Sequence, residues 1–292
     1  MRLVLPASAL AAALLLSGCA PAASATDGLN VVASTSAYGS IASAIGGNRV
    51  TVTSIIDNPD QDPHSFEGSA RVELALSKAD VVLENGGGYD DWADTLLKAA
   101  DNPDATVLNA TTLSGYPTSG EFNEHLWYDF VTMEKVATHL RDALSKEEPA
   151  SAAVFARNTA AFVDTLHGFE ARESALARRD GGADVAITEP VPLYLLTASG
   201  FTNVTPTAFS EAVEEGTDVS PAILSQTLAL FSGHVATALV YNAQTTGPQT
   251  TAVVDAAKTA GVPVVPVTET LPTGTDYRGW MDANLTALEG LE

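Results

Sequence analysis

The stretch from Pro149 to Arg179 constrains the fold more than any other part of this 292-residue chain. Phe155, Phe162, Leu166, Phe169 and Leu176 recur at intervals of 7, 4, 3 and 7 residues, which places them on one face of an α-helix. Pro149 suits a first helical turn, Arg178 and Arg179 complement the negative end of a last one, and Gly181-Gly182 can terminate it. At 1.5 Å per residue such a helix runs for roughly 45 Å. That length suits a rigid backbone joining two lobes better than a helix confined to one small core.

Both flanks support two lobes. Before the helix, strand candidates at 29–34, 50–56, 79–84 and 106–109 alternate with helical patterns at 38–45, 90–100 and 131–144. After it, strands at 183–188, 236–241 and 263–267 alternate with helices at 193–199, 219–231, 250–260 and 277–288. Strands interleaved with helices predict parallel βαβ units. The expected fold is therefore α/β: a lobe over 29–146, a connecting helix over 147–181 and a second lobe over 182–292. The two halves echo each other in architecture, with no sequence repeat.

The first 28 residues read as export and tethering. Arg2 gives a short positive region, Leu3 to Leu16 an apolar run, and Leu16-Ser17-Gly18-Cys19 resembles the bacterial lipobox. The run falls short of the ~20 apolar residues that span a bilayer. Residues 1–18 are thus expected to be a lipoprotein signal peptide, Cys19 the lipidated residue, and 19–28 a flexible Ala/Ser/Pro-rich tether. The expected location is outside the cytoplasm, anchored to a bacterial cell membrane.

Charge and missing motifs narrow the chemistry. With 14 Lys+Arg against 36 Asp+Glu, a net charge of −22 excludes an ordinary nucleic-acid binder. One cysteine excludes an internal disulfide framework and a Cys-cluster zinc site. No Gly-x-Ser-x-Gly elbow, Walker loop or His-Glu-x-x-His helix occurs, and Gly86-Gly87-Gly88 reads as a turn after a strand. No catalytic residue is expected. Of the five histidines, His139 and His167 fall in charged helical stretches and His234 in a helix-to-strand loop. His64 differs. It lies in Asp62-Pro-His-Ser-Phe-Glu67, directly after a predicted strand, where α/β folds place ligand sites. Pro63 restrains that loop, and Glu67 stands within reach of the imidazole. On spacing alone His64 is either a metal ligand or a structural loop residue.

Asp62-Pro-His-Ser-Phe-Glu67 followed by Leu76-Ser-Lys-Ala-Asp-Val-Val-Leu-Glu-Asn-Gly-Gly-Gly-Tyr-Asp-Asp-Trp92 resembles the zinc/manganese substrate-binding proteins of ABC transporters. The opening strand Val31-Val-Ala-Ser-Thr-Ser36 and the long helix are similar to that family too, so the resemblance spans the mature chain. It implies a periplasmic-type solute-binding lipoprotein, with one divalent transition metal held in a cleft between the lobes. His64 matches the first ligand and His125, in Asn123-Glu-His-Leu-Trp127, the second. Glu189, in Ile187-Thr-Glu, matches the third. Glu269, in Val267-Thr-Glu, stands where the family usually has Asp, with Asp276 as the fallback.

Two imidazoles and two carboxylates suit zinc or manganese, with iron(II) also possible. The family's zinc-dedicated members often carry a His-rich loop before the second histidine. Tyr116 to Glu124 is short and holds no histidine, which points mildly away from a zinc specialist. The resemblance implies an ABC permease as partner, a monomer, limited hinge motion, and release by loop rearrangement on docking. Rival readings are an adhesin or metal-free interaction lipoprotein, and a secreted metal-dependent hydrolase, which would need an open coordination position.

Overall fold

The computed structural model describes residues 28–291 apart from positions 60, 62, 65 and 121. The signal peptide, Cys19, nearly all of the tether and Asp62 lie outside the described residues.

The first half runs β1 (Leu29–Thr35), α1 (Ser36–Gly46), β2 (Val50–Ile56), α2 (Ala70–Leu76), β3 (Val81–Glu84), α3 (Asp91–Ala99), β4 (Thr106–Asn109), α4 (Ala110–Ser114) and α5 (Phe130–Glu147). A 3-10 turn at Pro149–Ser151 leads into α6 (Ala152–Asp180). The second half runs β5 (Asp184–Ile187), α7 (Leu193–Ala198), β6 (Thr202–Asn203), α8 (Thr207–Glu214), α9 (Pro221–Ser232), β7 (Ala238–Asn242), α10 (Pro248–Thr259), β8 (Val264–Val267) and α11 (Tyr277–Glu289). The sequence reading overlooked α2, α4, α8 and the two-residue β6.

Each half builds a four-stranded, all-parallel sheet, ordered β2-β1-β3-β4 and β6-β5-β7-β8. Both sheets are covered on both faces, as parallel sheets require. Side-chain alternation along the strands shows it. Val31, Ala33, Val81 and Leu83 enter the large central core, while Val32 and Val82 face a small cluster with Leu76 and Ala79. In the second sheet Val185, Ile187 and Val240 face the central core, and Ala186 and Leu239 face a cluster with Phe209, Phe231 and Val253.

Helix α6 spans 29 residues, roughly 44 Å at 1.5 Å per residue. Its periodic face of Phe155, Phe162, Leu166, Phe169 and Leu176 is buried, and belongs to one core that continues through both lobes. Helix α11 ties them further. Tyr277 N donates to Ser40 Oγ at 2.9 Å and Tyr277 Oη to the Trp127 carbonyl at 2.7 Å. The chain's last helix thus returns to the first half. Among the described residues no helix is long and apolar enough to cross a membrane.

Candidate metal centre

The candidate side chains come from loops at the carboxyl ends of strands in both sheets, where open α/β sheets place ligands. In the first lobe the loop leaving β2 carries His64. Its Pro63 carbonyl accepts from Trp92 Nε1 at 3.0 Å, and Phe66 packs on the Trp92 ring at 4.4 Å. On its other side the Pro59 carbonyl accepts from Gln244 Nε2 at 2.6 Å and Thr270 Oγ1 at 3.1 Å, both from the second lobe. The loop is therefore gripped from both halves.

His125 precedes a 3-10 turn at Leu126–Tyr128 and is fully buried. Its Nδ1 lies 2.7 Å from Asn123 Oδ1. An amide oxygen only accepts, so Nδ1 carries the proton and Nε2 presents a lone pair. Among the described residues no hydrogen bond to Nε2 is found. Burial, and after it the charge of His64, holds the imidazole pKa down at about 3; the ring is neutral at any ordinary pH.

In the second lobe Glu189 follows β5 and is buried, and Glu269 follows β8. His64, Glu189 and Glu269 line a common interlobe cavity of about 330 Å³. His64 Nε2 stands 4.0 Å from Glu269 Oε1. Tyr89, in the turn after β3, links the two lobes here. Its hydroxyl donates to Glu269 Oε1 at 3.0 Å, and its ring meets His64 edge-on at 5.0 Å and Trp127 at 4.8 Å.

Glu214, the last residue of α8, lines the same cavity and was overlooked in the sequence. Its Oε1 lies 3.2 Å from His125 Nε2 and 3.9 Å from His64 Nε2. Burial, then the charges of Glu124, Glu189, Glu269 and Glu215, push its carboxyl up to about 10. Glu124, beside His125, is raised mainly by burial. Among the described residues, ligand atoms of His64, Glu124 and Glu214 lie within 4.8 Å of one another. Among the described residues the cavity is lined by His64, Glu189, Glu214 and Glu269 with no lysine or arginine, and His125 adjoins it through Glu214; such a set is a place where a divalent cation relieves repulsion.

Other candidates fall elsewhere. Glu67 is exposed and lines a separate cavity with Asp57 and Arg71, not the one shared by His64. Asp276 is the N-cap of α11, accepting from Gly279 N at 2.8 Å and pairing with Arg278 at 2.9 Å. His139, His167 and His234 are exposed, and His167 Nε2 pairs with Glu134 at 3.2 Å. Glu214 had a readable signal: Phe209 and Val213 at helical spacing between Pro206 and Gly216 predict a short helix. Nothing in that pattern singles it out from Glu211 or Glu215.

Residues 31–290 match the family described as zinc-uptake complex component A, periplasmic. The manganese-binding lipoprotein MntA of Halalkalibacterium halodurans is 27% identical over 200 residues, 66% of this chain and 66% of that protein. MntA of Bacillus subtilis is 30% identical over 174 residues, 57% of this chain and 56% of that one. The matched segments thus span about two thirds or less of these curated relatives. The solved periplasmic zinc-binding protein TroA from Treponema pallidum superposes with a TM-score of 0.74 at 18% identity, covering 90% of this chain and 99% of that chain. At that identity the likeness speaks for the fold.

Proposed function

The chain belongs to the family of the periplasmic zinc-uptake component A, a metal-binding transport family and not an enzyme family, and from that premise we propose that it captures a divalent transition metal between its lobes for an ABC importer. One observation carries the reading. His125 Nε2 is fully buried, its lone pair turned away from the Asn123 bond, and it stands 3.2 Å from the Glu214 carboxyl. With no cation the Glu214 carboxyl keeps its proton against the surrounding carboxylates, and a divalent cation can displace that proton and take both donors.

His64 and His125 are the ligands of the first lobe, Glu189 and Glu269 those of the second, so the metal stitches together lobes spanning 29–146 and 182–292. The cargo is manganese or zinc, with iron(II) also admissible. The two MntA relatives are named for manganese and TroA for zinc. The lipid on Cys19 holds the monomer at the outer face of the cell membrane, and the permease receives the metal when docking rearranges the cleft loops. Binding stabilises the fold by mass action and weakens in acid, because every donor must be deprotonated.

The test is competition titration of Mn2+, Zn2+ and Fe2+ into chelator-stripped protein. One equivalent is expected, with His64→Ala and His125→Ala each losing about a hundredfold or more in affinity, on the order of 2.7 kcal/mol, and His139→Ala unchanged. Full affinity in both cleft variants would falsify the assignment.

A further inference from the structure

We propose that Glu214 is a fifth ligand of the captured cation, delivered by α8, and that it biases the site toward manganese over zinc. The inference rests on the metal-capture reading above and adds a donor that its four-ligand set lacks.

The spacing of the donor atoms is the first support. Two ligands about 2.1 Å from one ion, at angles of about 90–110°, stand about 3.0–3.4 Å from each other. Glu214 Oε1 and His125 Nε2 are 3.2 Å apart, already at that spacing. The same oxygen lies 3.9 Å from His64 Nε2, which is in turn 4.0 Å from Glu269 Oε1. These three contacts bring Glu214 as near to both imidazoles as the expected ligand Glu269 comes to one of them.

The second support is the state of the imidazole. Nδ1 of His125 is committed to Asn123 at 2.7 Å, so the buried Nε2 turns a lone pair toward Glu214. The nitrogen and the Glu214 oxygen stand at the separation that two ligands of one metal ion adopt. Glu214 also ends α8, where the partial negative charge of the helix terminus favours a cation. It forms part of the wall between the 330 Å³ metal cavity and a neighbouring 480 Å³ cavity lined by Phe122, Glu124 and Glu211.

A third carboxylate changes what the site prefers. Zinc sites in proteins close at four ligands, mostly nitrogen and sulfur, whereas manganese accepts more donors and favours oxygen. With Glu214 the set becomes two imidazoles and three carboxylates, one negative charge beyond what a divalent ion neutralises. That surplus matches a larger, oxygen-preferring cation.

The experiment compares wild type with Glu214→Gln, an isosteric change that keeps hydrogen bonding but removes a strong ligand. Mn2+ and Zn2+ affinities are measured by dye competition on stripped protein, and Co2+ is added as a spectroscopic probe of coordination number. Expected is one equivalent of each metal on wild type. In Glu214→Gln the Mn2+ affinity falls by thirtyfold or more and the Zn2+ affinity by less than fivefold, while the Co2+ d–d bands intensify as five-coordination gives way to four. Glu214→Asp, one methylene shorter, falls between the two for Mn2+. Wild type binding one equivalent, with Glu214→Gln unchanged in both affinities and in the Co2+ spectrum, overturns the fifth ligand alone. Wild type that takes up none of the three metals overturns the capture reading and this ligand with it.

Discussion

Single residues decide how well the donors are held before an ion arrives. Tyr89 is the clearest case outside the donor set, because its hydroxyl fixes Glu269 at 3.0 Å while its ring braces His64. The turn that presents it is held by Asp90, whose carboxylate accepts from Asn85 N at 2.7 Å and Gly86 N at 2.6 Å. Gly86 itself sits at φ +71°, where a Cβ would also collide with the Asn109 side chain. Removing only the hydroxyl in Tyr89→Phe leaves the ring packing and takes this hydrogen bond from the Glu269 carboxylate. Metal affinity is expected to fall by about tenfold, the lower end of what outer-shell partners contribute, with little change in melting temperature. Unchanged affinity in a dye-competition titration refutes the role. The placement of the His64 loop and the His125 segment beside the interlobe cleft was readable because proline restraint and motif order survive in one dimension. The Tyr89–Glu269 bond joins residues 180 positions apart, and no local pattern announces it.

At the scale of elements, the loops after β7 and β8 act as a unit through Gln244. Its Oε1 accepts from Glu269 N at 2.8 Å and Thr270 N at 3.0 Å, and its Nε2 donates to Thr270 Oγ1 and the Pro59 carbonyl, each at 2.6 Å. One amide therefore aligns the Glu269 loop and latches it to the His64 loop of the other lobe. Gln244→Ala removes all four bonds and leaves buried backbone groups unsatisfied, a loss of about 2–3 kcal/mol. The expected result is metal release into excess chelator about tenfold faster in stopped flow, with a smaller change in the association rate. An unaltered release rate would show that the latch does not hold the cleft. The long α6 and most strands were legible because their apolar periodicity extends over enough residues to be distinctive. Helices α2 and α8 have 7 and 8 residues and β6 has 2, lengths at which tertiary packing, not propensity, decides the conformation. Losing α8 from the reading also lost Glu214.

For the whole molecule, stability depends on how the acidic chain distributes protons between its folded and unfolded states. Glu173 on α6 is only 6% exposed within the helix that joins the lobes. Burial, reinforced by Glu170 and Asp129, raises its carboxyl to about 8. Burial likewise raises Glu84 to about 7. A carboxyl whose folded pKa exceeds its unfolded value keeps its proton longer in the native state. Its contribution is fully present below about pH 4.5 and is lost as pH rises through the folded pKa, with a limiting slope of about 1.4 kcal/mol per pH unit for each group. His125, lowered to about 3 by burial, acts in the opposite sense: unfolding gains a proton below about pH 6.5, so stability falls as the pH drops from there toward 3. The metal-free protein is therefore most stable in mild acid and weakens toward pH 8. In that range the total stability of a domain, about 5–15 kcal/mol, is small enough for one such group to register. Glu173→Gln keeps the shape and removes the titration far from the metal cleft. Unfolding free energies from urea titration of stripped wild type and Glu173→Gln should agree within error at pH 4, with the variant ahead by about 4 kcal/mol at pH 8.5. Parallel curves across that range would refute the assignment of this slope to Glu173.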